Sequence, residues 1–233
     1  MALVIGLLAA AAVLIWSRWT CCAPGSPSID SRSLESAPLA VAADHIDPAN
    51  EGHLVTITGI ATATDKARDP QLGISADALI LIRSVQMFQW REQCTAAGAC
   101  SYRQEWAETP IASNAFREPA THANPEAFPF SSARFSAPSI KLGAFVVDPA
   151  LVLHEDPVTH AYAVTAAELP PNLAASFREF EGVLTTSNAT DEPAIGDLRV
   201  SYRTVAPGEL SVTGTQRGDR LLAPTASNSS QGN

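Results

Sequence analysis

Lysine is nearly missing from these 233 residues: Lys66 and Lys141 are the only two, the arginines are scattered singly, and the formal net charge is −9. A chain without a basic cluster offers little to a phosphate backbone, which excludes nucleic acid as an expected partner. No glycine-rich loop matches a phosphate cradle and no serine sits in a nucleophile-elbow setting. The carboxylates of "EDP" and "TDEP" each stand beside a proline, in turns where solvation accounts for them. His154 and His160 are six residues apart with Pro157 between them, so they cannot share a helix face at the i, i+4 spacing of a zinc pair. Cysteine is scarce, and Cys94 and Cys100 have no second CxxC or paired histidines near them to complete a zinc site. Neither a metal nor a cofactor is expected.

The one long apolar run is "MALVIGLLAAAAVLIW" at the start. Sixteen residues at about 1.5 Å each reach about 24 Å, short of the ~30 Å hydrocarbon core. Trp16, Arg18 and Trp19 lengthen it, because indoles settle at the interface and an arginine can snorkel outward. Residues 1–22 are therefore expected to be a single membrane anchor bound to lipid. The rival, a cleaved signal peptide, would want a positively charged start, which the sequence lacks. Residues 23–50, rich in Ser, Pro, Ala and Asp, predict a linker, and residues 223–233 a disordered polar tail. Arginine in excess of lysine, with abundant alanine, suits a GC-rich bacterial genome; joined to the apolar N-terminus and the Cys94 and Cys100 pair, it gives the expectation of an inner-membrane protein with the bulk of the chain in the periplasm.

Residues 51–222 predict an α+β, mostly β domain with a short packing helix. "EGHLVTITGIATA" alternates and is rich in β-branched residues, as a strand should be. "ALILIRSVQMFQWREQ" is a longer strand with an oddity: Val85 and Met87 are apolar in one phase, Phe88 and Trp90 in the other. A bulge between them, or burial on both faces, would turn all four inward and make the strand central, with Trp90 in the core. With "SYRQEWAETP" it forms a hairpin whose "CTAAGAC" loop places Cys94 and Cys100 at facing positions. A disulfide is expected there if the domain lies outside the cytoplasm, and two free thiols otherwise. In "PPNLAASFREFEG", Leu173, Phe177 and Phe180 recur at helical spacing between a proline start and a glycine stop. "EGHLVTITG" with "LGISADALILIRSV" is echoed by "EGVLTTSNA" with "IGDLRVSYRTV", which suggests two related β-lobes.

Several separated motifs, in order, then point to a family. Met87 to Glu92 including Trp90, Trp106, Phe116, Pro119, His122 to Pro125 including Asn124, Pro129 with Phe130, Leu142 to Phe145 including Gly143, and Gly196 to Tyr202 including Asp197 closely resemble the transmembrane protein 43 family, also called LUMA. The likeness covers nearly all of Glu51 to Leu222. It implies an N-terminal membrane helix, a large non-cytoplasmic domain and a cluster of C-terminal membrane helices. The sequence departs from that pattern in ending on "TASNSSQGN" with no apolar run. The family's animal member is associated with the endoplasmic reticulum and inner nuclear membrane, where it is thought to organise protein complexes, and no catalytic activity comes with the resemblance. The expectation is a non-enzymatic, membrane-anchored scaffold that binds other membrane or envelope proteins, or itself. A lipid-binding module with an apolar cavity under Phe177 is one alternative, and a hydrolase centred on His122 another. His122 more readily takes a structural hydrogen bond to a turn carbonyl near Asn124 and Pro125.

Overall fold

The computed structural model describes residues 37–188 and 192–223. The expected anchor at 1–22, most of the expected linker and the residues from 224 onward lie outside them. Among the described residues no helix is long and apolar enough to cross a membrane. In chain order the elements are β1 (Leu39–Ala42), β2 (Leu54–Ala63), β3 (Ala67–Arg68), β4 (Ser75–Ala76), β5 (Ile80–Cys94), β6 (Cys100–Ala107), β7 (Ala133–Ser136), β8 (Ile140–Leu142), β9 (Phe145–Val147), α1 (Pro149–His154), β10 (His160–Tyr162), α2 (Pro171–Ala174), β11 (Arg178–Phe180), β12 (Val183–Thr185), β13 (Leu198–Val205), β14 (Gly208–Arg217) and β15 (Arg220–Leu222). The domain is mostly β, with few and short helices.

The first sheet closes on itself. β2 gives one edge to β14 and the other first to β1, in parallel, and then to β8. β14 continues through β15 to β9, and β9 returns to β8, so five strands complete a ring with β1 added outside it. Alternation dictates what fills the ring: Val55, Ile57, Ala61, Ile140, Leu142, Phe145, Val147, Val212 and Leu221 are all buried in one apolar cluster. Leu151 and Val152 of α1 join it, on a helix that Asp148 caps by accepting from the Ala150 N–H.

The second sheet runs β11-β12-β13-β5-β6, with β10 beside β13 and β7 beside β5. β5 explains the run "ALILI". Ile80 and Ile82 face the first core, while Leu81, Val85 and Met87 face a second that holds Leu184, Leu198, Val200 and Tyr202. A strand lying between two cores has no polar face to show at that end.

The phase flip in β5 is not a bulge. Its pairing runs unbroken, residue for residue, with β13 from Ile80 to Met87 and with β6 from Met87 to Cys94. The inward face reads Leu81, Arg83, Val85, Met87, Gln89, and all five are buried. The alternation is regular, but two inward positions are polar. Gln89 donates to the Thr109 carbonyl (3.0 Å) and accepts from the Ile111 N–H (2.9 Å). Arg83 pairs with Asp69 (2.6 Å), donates to Gln71 (2.5 Å) and to the Ser131 carbonyl (3.0 Å), and lies over the Phe135 ring. Satisfied polar groups can occupy a core, so Phe88 and Trp90 are left on the opposite, half-buried face. The Trp90 side chain is therefore not in the core.

Three further expectations change. The helix is one turn, Pro171–Ala174; Phe177 is buried, but Arg178–Phe180 is an edge strand that leaves Phe180 about half exposed. A β-hairpin closed by β11 and β12 at Glu181 and Gly182 outweighs the helical spacing. The expected linker contains β1, whose four residues add to the edge of β2 and whose Val41 packs on the core. The two-lobe echo has no counterpart: β2 lies in the first sheet and β5 in the second, whereas β12 and β13 both lie in the second, β13 directly beside β5. Matching local patterns went to different sheets because pairing, not local sequence, sets strand order.

Candidate functional site

Beyond Met87, β5 leaves the double core and continues with β6 as a hairpin whose outer face pairs Phe88 with Trp106, Trp90 with Gln104 and Glu92 with Tyr102. At its tip Cys94 faces Cys100 and the two are joined by a disulfide. The Glu92 carboxylate lies within 4.8 Å of both sulfurs, which are spent on that bond.

His122 comes down onto this face. Its ring stacks on Tyr102 (centroids 3.6 Å, planes 11° apart) and meets Trp90 edge-on (4.7 Å, 87°), with Phe116 tilted against Tyr102 (6.1 Å, 53°). The His122 Nδ1 lies 3.2 Å from the Glu118 carbonyl and 2.9 Å from Thr121 Oγ1. A carbonyl only accepts, so that bond puts the hydrogen on Nδ1. The carbonyl it meets is that of Glu118, four residues before it, and not one of the expected turn at Asn124 and Pro125.

Glu92 holds the segment down. Its Oε1 accepts from the Tyr102 hydroxyl (2.7 Å) and from the Arg117 N–H (2.7 Å), while Tyr102 accepts from the Glu118 N–H (3.1 Å). The Arg117 N–H first, and Tyr102 second, hold the Glu92 carboxyl below the usual carboxylate range. Desolvation, then the hydrogen bond to Glu92, raise the Tyr102 hydroxyl above the usual phenol range. A carboxylate depressed in the folded state stabilises fully above its ordinary range, and the contribution is lost as pH falls through the folded value. Acidification through that folded value, below the usual carboxylate range, is therefore expected to release the segment from Arg117 to His122, and Glu92→Gln to loosen it at neutral pH. Amide exchange at Arg117 and Glu118 measures this; unchanged exchange in the Gln variant would refute it.

Asn124 closes the edge that β13 vacates. The Phe88 N–H donates to the Asp197 carbonyl (2.8 Å) and the Gly196 N–H to the Phe88 carbonyl (2.9 Å), the last backbone bonds on that side. One pair further on, the Asn124 carboxamide replaces a strand residue: Oδ1 accepts from the Trp90 N–H (2.7 Å) and Nδ2 donates to the Trp90 carbonyl (2.9 Å). Its Nδ2 also reaches the Ile111 carbonyl (3.2 Å), and its N–H donates to Ser113 (2.9 Å). Asp197 is fixed by Thr186 and the Ala194 N–H.

The structure thus gathers Trp90, Glu92, Trp106, Phe116, His122 and Asn124 at the hairpin, with Gly196 and Asp197 at its edge and Pro125 packed near Gly196. It does not bring the rest there. Met87 lies in the second core, Phe130 packs on Phe177 (6.3 Å), and Leu142, Gly143 and Phe145 form the β8–β9 turn of the first sheet. Phe177 belongs to the second core, together with Leu72, Ile74, Val164 and Leu169. A cleft of about 490 Å³ is lined by Pro110, Ser113, Pro119, Asn124 and Pro125 among others, and His122 is not in its lining. His154 and His160 are exposed.

Sequence reasoning missed Tyr102, whose ring is the platform for His122, and Arg199, which lies over the Trp106 ring (4.7 Å) and donates twice to Gln86. Arg199 sits in the "GDLRVSY" motif, and its register partner is Gln86. The motif was the available signal; the pairing is a fact of the fold.

The family model described as transmembrane protein 43 matches residues 87–232. Transmembrane protein 43 of Mus musculus is 28% identical over 212 residues, covering 81% of this chain and 52% of that protein. The Homo sapiens protein is 29% identical with the same coverage. The Drosophila melanogaster homolog is 24% identical over 187 residues, covering 74% of this chain and 48% of its own length. The chain spans about half the length of the curated relatives it matches. No solved structure matches it.

Proposed function

We propose, from the premise that the chain belongs to the transmembrane protein 43 family, that it is a membrane-attached, non-catalytic scaffold. Its first 22 residues hold it in the bilayer, its β-rich domain stands outside the cytoplasm, and the half-exposed aromatic face of the β5–β6 hairpin holds other membrane or envelope proteins. One observation carries this reading. Trp90 of β5, Tyr102 of β6, and Phe116 and His122 of the connection after β6 converge on one face and are fixed there by Glu92 and Asn124. Rings held rigid in advance, with polar groups at their rim, lose little freedom on association and are the usual anchors of protein interfaces.

A photo-crosslinking residue at Phe116 tests it, with the exposed Ser211 of the first sheet as control. In native membranes, discrete adducts larger than the chain are expected from position 116 and not from 211. The same products from both, or none from 116, would overturn the reading.

The hairpin disulfide supports the extracytoplasmic placement, since such bonds persist in oxidising compartments. Non-reducing mass spectrometry of the chain from native membranes is expected to find the Cys94 and Cys100 peptides linked. Replacing both by serine should lower stability by about 2 kcal/mol, the loop-closure entropy for so short a loop. Free thiols at both positions would refute the placement.

A further inference from the structure

β6 ends the second sheet, and among the described residues no segment pairs with its far side. The direction of its backbone groups follows from the hairpin. The Thr95 N–H donates to the Ala99 carbonyl across the loop. Alternation then makes Gln93/Ser101, Arg91/Arg103, Gln89/Glu105 and Met87/Ala107 the pairs that exchange backbone bonds. Phe88 and Trp90 do turn theirs away from β6, to Asp197, Gly196 and Asn124. On β6 the groups of Tyr102, Gln104 and Trp106 therefore point to the open edge. An eight-residue edge with no proline, no lysine and no bulge is what folded chains normally avoid presenting bare.

We infer that a second copy of this chain covers this edge, β6 lying antiparallel to β6 with Gln104 opposite Gln104 on a two-fold axis. The charges choose both occupant and register. With Gln104 on the axis, Arg103 of each copy opposes Glu105 of the other, and Tyr102 opposes Trp106. About six backbone hydrogen bonds form, two for each of the three outward pairs. Sliding by one step of the outward pattern puts Arg103 opposite Arg103 one way and Glu105 opposite Glu105 the other, like charges at the closest cross-strand positions. A self-complementary patch of this kind is what a closed two-fold dimer requires. The inference rests on the scaffold reading and names one of its partners.

The test uses the full chain in membranes or mild detergent, with Cys21 and Cys22 replaced by serine. Gln104→Cys is expected to give a covalent dimer under mild oxidation at least tenfold faster than Arg103→Cys, because only residue 104 meets itself across the axis. Gln104→Pro removes an outward N–H and no hairpin bond. It should leave the monomer folded, with the amide-exchange pattern of the hairpin kept, and weaken dimerisation at least tenfold by light scattering. A monomer at all concentrations, faster linkage at 103 than at 104, or a Pro variant that dimerises normally would each overturn the inference. Adducts from Phe116 alongside such a result would leave the scaffold reading standing; their loss as well would remove both.

Discussion

Asp69→Asn is expected to cost about 3 to 5 kcal/mol, the range for breaking one side of a buried ion pair, out of the ~5 to 15 kcal/mol that holds a domain folded. The reason is the company Asp69 keeps. It is fully buried, and its Oδ2 takes both the Arg83 guanidinium (2.6 Å) and the Tyr202 hydroxyl (2.6 Å). Its Oδ1 accepts from the Gln71 (3.0 Å) and Leu72 (3.4 Å) N–H groups, fixing the turn that brings Gln71 to Arg83. Burial first, and the bond to Asp69 second, push the Tyr202 hydroxyl far above the usual phenol range, so it stays a donor. An asparagine keeps the shape and removes the charge, which leaves Arg83, 1% exposed, as an uncompensated cation in the core. Tyr202→Phe removes one donor and spares the pair, so it should cost about 1 kcal/mol. Denaturant titration decides between them: a loss under 1 kcal/mol for Asp69→Asn, with unchanged slope, would show that the pair does not hold β5 and β13 to the turn.

That cluster also marks how far the sequence could be read. β2, β13 and β14 are eight to ten residues long, enough for alternation to declare them. β8, β9 and β15 have three residues each, and too short a run has no pattern. The ring they close was illegible for that reason. The apparent phase flip in β5 had a different cause. Arg83 and Gln89 are inward residues whose partners, Asp69, Gln71, Ser131, Thr109 and Ile111, come from segments up to 48 residues away. A polar side chain looks outward until its partner is known. At the hairpin, the order of the motifs named several of the residues that the structure brings together, Trp90, Glu92, Trp106, Phe116, His122 and Asn124. That the Asn124 amide would replace a strand residue beside Trp90 depends on where β13 stops, a fact of tertiary pairing.

The Gly143 motif residue carries the second large expected effect. Gly143 sits between Leu142 and Phe145, both fully buried, in the turn that joins β8 to β9 and so closes the ring. Its φ is +61°, and a Cβ there would stand 2.2 Å from the Ala43 carbonyl oxygen and 2.7 Å from the Ala43 carbonyl carbon. Both are backbone atoms just past β1, and the same oxygen accepts from the Ala144 N–H (2.8 Å), so relief requires moving the chain and lengthening that bond. Left-handed backbone costs a non-glycine about 1 to 2 kcal/mol, and the lost hydrogen bond about 0.5 to 1.5 kcal/mol more. Gly143→Ala should therefore lose roughly 1.5 to 3.5 kcal/mol and lower the melting temperature by about 2 to 4 °C for each kcal/mol. Gly218 separates the two causes. Its φ is +59°, but a Cβ there meets nothing within 4 Å, so Gly218→Ala bears the conformational cost alone. If the two variants lose equal stability, close approach to Ala43 is not what reserves position 143 for glycine. If Gly143→Ala loses more, the excess measures how firmly the segment after β1 is pressed onto the ring.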